Sequence, residues 1–85
     1  MRTEINEEEG AIILFVAVPD CSECRNRITD ILTNMKCWKD IQIGYPSEYG
    51  TAIKLFYNKN DKDTDFWWLA ERAKEILQSH CYRAI

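Results

Sequence analysis

The sequence predicts an α+β domain, an antiparallel sheet with two helices on one face in the order β-α-β-β-α-(β). Three observations predict it. They are an unbroken apolar run at Ala11–Val18, helical apolar spacings after Cys24 and after Phe66, and two alternating segments either side of a Pro46-to-Gly50 turn. With 85 residues the chain supplies one small core and not two. A composition of 46% hydrophobic and 29% charged residues, with only three Gly and two Pro, excludes a disordered or low-complexity chain.

Each element has its own signal. Residues 1–10 are polar and acidic with a single Ile, and read as a solvated N-terminal arm or a frayed first strand, leaving residues 11–85 as the single domain. Ala11–Val18 is β-rich and closed by Pro19, which fits a central strand. Asp20 followed by Glu23 has the layout of a capping box, so a helix is expected to start at Cys21. Its apolar positions Cys24, Ile28, Ile31, Leu32 and Met35 fall at i, i+4, i+7, i+8 and i+11, one helical face. Trp38–Tyr45 alternates, with Ile41, Ile43 and Tyr45 on one side, and Thr51–Tyr57 alternates again with Ile53, Leu55 and Tyr57. Asn58–Asp65 is a charged loop, and the last helix, capped by Asp63 or Thr64, runs from about Asp65 to Ser79 with Phe66, Leu69, Ala70, Ala73, Ile76 and Leu77 inward. The tail Cys81–Ile85 adds a short edge strand. A ferredoxin-like plan is the simplest way to join these pieces.

Charge and motif content exclude several functions. Eleven Lys and Arg against fourteen Asp and Glu give a net charge of -3, which is not the footprint of a nucleic-acid binder. One histidine, His80, and no Gly-rich phosphate loop leave most hydrolase and kinase sites unavailable, so a binding protein is expected rather than an enzyme. The apolar run is too short to span a bilayer, which takes roughly 20 residues. It follows Glu7, Glu8 and Glu9 rather than a basic segment, so it does not read as a signal peptide and the expected location is cytoplasmic. Asp61-x-Asp63-x-Asp65 opens like a calcium loop, but Phe66 and Arg72 stand where Gly and Glu are needed.

The sharpest chemical feature is the pair Cys21-Ser22-Glu23-Cys24. Two thiols three apart at a helix start can approach one ion or each other. Cys21, at the first helical position, is favoured as thiolate by free N–H groups and the helix dipole, while Asp20 and Glu23 oppose it. Cys24 continues the buried stripe and serves as second ligand or resolving thiol, unless it is only a core residue. Cys37 and Cys81, each beside an aromatic, are expected as small buried apolar residues. In a cytosolic setting all four thiols are expected mostly reduced.

The strand, the CxxC, the pattern Cys24-x-x-x-Ile28-x-x-x-Leu32, the hairpin and the final helix resemble the heavy-metal-associated domain of copper chaperones and metal-transporting ATPases. The resemblance spans about Ile12 to Ile85 and includes Cys81-Tyr82-Arg83-Ala84, similar to the family's Gly-Tyr-x-Ala, with Cys81 where Gly is usual. It implies Cys21 and Cys24 as ligands of Cu(I) or another soft ion such as Zn²⁺. Pro19 and Val18 stand where the family carries Met and Gly. The stretch Leu14–Cys24 also resembles the start of thioredoxin-like domains, which implies thiol–disulfide exchange with Cys21 as nucleophile. An apolar strand on both faces agrees with a sheet covered on both sides.

Aromatic residues give a third reading. Trp67 and Trp68 point away from the buried stripe of the last helix, and with Phe15 and Phe56 on the second sheet face they form a candidate partner-binding surface. Alternatively the two rings tuck under the preceding loop or over a sheet edge. If exposed, they suit a protein partner or a second copy of the chain. The protein is then a small acidic interaction or inhibitor protein, of the kind a phage or mobile element uses to block a host factor.

Overall fold

The structure, a computed structural model, describes residues 3–18, 22–48, 50–58, 60 and 65–84. Thr3–Asn6 forms strand β1, so this part of the acidic segment is a strand of the sheet. It pairs antiparallel with β2 (Ala11–Ala17), setting Ile5 opposite Ile12 and Glu4 opposite Ile13. Their hairpin closes on Asn6, whose carbonyl accepts from the Gly10 N–H at 2.9 Å and whose side chain exchanges hydrogen bonds with Glu9. Gly10 takes a φ of 70°, a conformation that a side chain would strain. Lys54 pairs with Glu9 at 2.8 Å and ties the turn to the neighbouring strand.

Helix α1 (Ser22–Thr33) follows β2, and the expected cap at Asp20 and start at Cys21 lie outside the described residues. Its inward face is the one the spacing predicts: Ile28 and Leu32 are fully buried, while Cys24 and Ile31 are partly covered. Met35, past the helix end, packs against the core and accepts a hydrogen bond from the Trp38 indole at 3.4 Å. Strand β3 (Asp40–Ser47) therefore begins two residues later than Trp38. It pairs with β4 (Gly50–Phe56), and the hairpin closes at Ser47 and Gly50, with Gly50 at a φ of 95°. A bulge between Ile43 and Pro46 breaks the alternation. Gly44 and Tyr45 together oppose Ala52, so Tyr45 does not join Ile41 and Ile43 inward but stands 86% exposed.

Helix α2 (Phe66–Ser79) is capped by Asp65, whose carboxylate accepts the Trp68 N–H at 3.1 Å. The expected caps Asp63 and Thr64 lie outside the described residues. Leu69, Ala70, Ala73 and Leu77 are buried, Phe66 stacks on Tyr57 with ring centres 3.7 Å apart, and Lys74 is buried as well. Lys74 is tolerated there because its ammonium donates to Thr3 Oγ1 at 2.9 Å and pairs with Glu71 at 2.8 Å.

The chain leaves α2 through a Schellman turn: Tyr82 N–H reaches the Leu77 carbonyl at 2.9 Å and Cys81 N–H the Gln78 carbonyl at 3.0 Å. Cys81 holds a φ of 69°, the left-handed conformation that favours Gly. Cys81→Gly is expected to stabilise the fold by about 0.5–1 kcal/mol, read as a raised urea midpoint at unchanged slope. An unchanged or lowered midpoint would show that the thiol makes contacts worth more than the strain.

Strand β5 (Arg83–Ala84) pairs with β2 at Val16 and Ala17, beyond the end of β1. The sheet order is β1-β2-β4-β3, with β1 and β5 sharing the side of β2 that β4 does not occupy. Ile12, Leu14 and Val16 meet Ile28 and Leu32 of α1 and Ala70, Ala73 and Leu77 of α2 in one core, so both helices cover the same sheet face. On the opposite face Ile13, Phe15, Ala52 and Phe56 are half-buried with no described helix over them. No described helix is long and apolar enough to cross a membrane.

Candidate functional site

Cys24 and the two tryptophans fall at opposite ends of the sheet. Strand β2 ends at Ala17 beside β5 and the start of β4, and α1 begins five residues on, which brings Cys24 to that end. Gly10, Phe56 and Tyr57 mark the other end, where Phe66 stacks and α2 starts. Cys24 and the tryptophans are therefore separate features.

Cys24 lies half-buried in the first turn of α1 and is disulfide-bonded, not reduced as expected. Cys21 lies outside the described residues. Cys37 and Cys81 carry free thiols, and neither is the fully buried apolar residue expected of it. Cys37 is half-buried and leads into β3. Burial pushes its thiol pKa up, opposed by a hydrogen bond with its own backbone, so it stays protonated and weakly nucleophilic at neutral pH. Cys81 is exposed, because the left-handed turn that ends α2 points it away from the core. It stands at the same end as Cys24, two residues before the partner of Ala17.

Around that end the structure adds residues that sequence reading missed. Arg25, next to Cys24, reaches across to β3 and donates to the carbonyls of Ile43 and Gly44, both at 2.8 Å, with its guanidinium 5.2 Å from the Tyr45 ring centre. No spacing rule finds this contact, since it joins residues brought together only by the fold. Thr51, opposite Val16, has a buried hydroxyl with no hydrogen-bond partner among the described residues. Among the described residues no group of three or more His, Cys, Asp and Glu is placed to hold a metal.

At the other end Trp67 and Trp68 are 59% and 61% exposed. Phe15 and Phe56 sit half-buried on the sheet face opposite the described helices, Phe15 opposite Ala52 and Phe56 opposite Ala11, and the Lys54 ammonium lies 5.3 Å from the Phe56 ring centre. An open groove of about 510 Å³ curves around the β1 edge, lined by Glu4, Ile5, Glu7, Glu8, Ile13 and Trp67. Tyr57, behind this groove, has its phenol pKa raised by burial and by the charge of Glu7.

Both described helices lie on one sheet face, whereas a thioredoxin-like sheet is covered on both. Comparison with family models, curated proteins and solved structures yields no match to the chain.

Proposed function

We propose that the protein is a small non-enzymatic binding module whose reduced thiols, Cys21 and Cys24, hold one soft metal ion, Cu(I) or Zn²⁺. The observation that carries this reading is the disulfide at Cys24, at the start of the helix that follows a central strand. Cysteines three apart in sequence at a helix start can approach one ion at metal–sulfur distances of about 2.3 Å. Thiolates suit a soft ion, and a near-linear Cu(I) site needs no third ligand.

The strand arrangement supports the same reading. With β1 set aside, β4 lies between β2 and β3 while β5 flanks β2, and we take this as the ferredoxin-like plan that the heavy-metal-associated resemblance implies. We place the protein in the cytoplasm, where a reduced pair is maintained.

Native mass spectrometry of protein reduced with a phosphine under chelator-free conditions tests the reading. One Cu(I) per chain is expected, lost in Cys21→Ser/Cys24→Ser and kept in Trp67→Ala/Trp68→Ala. An ion retained by the double serine variant, or none bound by the reduced wild type, overturns the assignment.

A second reading rests on the two exposed tryptophans, which form part of an interaction surface in a small acidic binding or inhibitor protein. It does not need the thiols. The serine variants keep that activity if it is the true one.

A further inference from the structure

Strand β1 is the one element whose outer edge, side chains and surroundings all point to the same kind of visitor. It pairs with β2 alone, so among the described residues its second edge is open for hydrogen bonding. Beside that edge runs the groove of about 510 Å³, with the exposed Trp67 indole on its helix side and Glu4 and Ile13 on the helix-free side. Glu7 and Glu8, at the turn, close one end. Glu4 and Glu7 are exposed, and no ion pair among the described residues engages either.

We propose that this edge accepts an extended basic segment of another protein by strand addition. The added strand's backbone pairs with Thr3–Asn6, while its Lys or Arg side chains lie against Glu4, Glu7 and Glu8 and across the face of Trp67. Alternation along a strand sends successive side chains to the two sides of the sheet, and the groove offers a carboxylate on one side and an indole on the other.

Charge decides between this occupant and a second copy of the chain. Pairing two β1 strands edge to edge in parallel brings the acidic turn Glu7–Glu9 and Glu4 of one copy against those of the other, and antiparallel pairing brings the two Glu4 residues near each other, so like charges disfavour self-association. The same carboxylates attract a cationic strand and speed its encounter. Trp67 contributes in a way Trp68 does not, because Trp67 lines the groove and Trp68 does not.

The test uses the full chain, ¹⁵N-labelled, and a blocked heptapeptide, Val-Arg-Arg-Val-Arg-Arg-Val, whose paired arginines reach both sides of the added strand. Chemical-shift changes are expected at the amides of Thr3–Asn6 and at the Trp67 indole, with binding weakened by added salt. Trp67→Ala, and separately Glu4→Gln/Glu7→Gln, is expected to raise the dissociation constant about tenfold, and Trp68→Ala to change it by less than about twofold. Circular dichroism of each variant confirms that the fold is kept. Three outcomes overturn the proposal: no shifts at millimolar peptide, equal binding of a glutamate–valine peptide, or shifts spread over the whole acidic surface and unmoved by the variants. A concentration-dependent dimer formed through Thr3–Asn6 without peptide also overturns it, since the edge then serves a second copy.

Discussion

Leu14→Ala is expected to destabilise the protein by about 3–5 kcal/mol, a large share of the about 4–13 kcal/mol that a domain of this length has to lose. Leu14 is fully buried at the middle of β2, opposite Thr3 of β1 and Ile53 of β4, under the layer where both helices meet. Truncation removes contacts to three elements at once, and a sheet held by strands on both sides collapses poorly into the space. Its neighbour Ile13 points to the opposite face, which no described helix covers, and is half-buried. Ile13→Ala is therefore expected to cost only about 1 kcal/mol. Urea titrations followed by tryptophan fluorescence measure both. Equal losses at the two sites would mean that something covers the second face.

The same contrast explains what the sequence made legible. A run of eight apolar residues can only be a buried strand or helix, and β-branched content decided for strand, so β2 was readable in place and type. The inward faces of α1 and α2 were readable too, because the i, i+3, i+4 spacing survives whatever surrounds a helix. By contrast β1 carries one apolar residue, Ile5, in four, and becomes a strand only because β2 offers it a ladder. The bulge at Gly44 and Tyr45 was invisible for a related reason. Strict alternation continues through it in sequence, and only the pairing register shows that two residues face one.

Reading of the site was less complete. The CxxC was plain as a spacing, yet whether its sulfurs meet is a matter of geometry. Cys81 was misread as buried because its neighbours are apolar, whereas its place after a helix end, in a left-handed turn, decides its exposure. Asp65 caps α2 although Asp63 and Thr64 were the expected caps, since Asp and Thr are both good capping residues and only the loop's path chooses among the three positions. Trp67 and Trp68 were readable as outward-facing from the helical wheel. The groove beside Trp67 was not, because its acidic wall comes from the segment taken for an arm.

Arg25→Ala is expected to lower stability by about 2–4 kcal/mol and to make the protein associate. The guanidinium spans two carbonyls of β3 with two charge-assisted bonds of 2.8 Å, at the bulge where the strand turns away from its partner. Those carbonyls lie on the outer strand of the sheet, and the exposed Tyr45 ring stands beside them under the same guanidinium. Without Arg25 the edge presents unpaired acceptors next to an uncovered aromatic, a template for another copy's strand. Arg25→Lys keeps the charge but places one ammonium where a fork is needed, so it should recover about half of the loss. Denaturant midpoints of the three proteins give the energies, and sedimentation velocity across a concentration series gives the association. A Cys24 site loosened along with the first turn of α1 would appear separately, as weaker Cu(I) retention by Arg25→Ala under conditions where it remains folded. If Arg25→Ala loses under about 0.5 kcal/mol and stays monomeric, the clamp is ornamental and the bulge alone protects that edge.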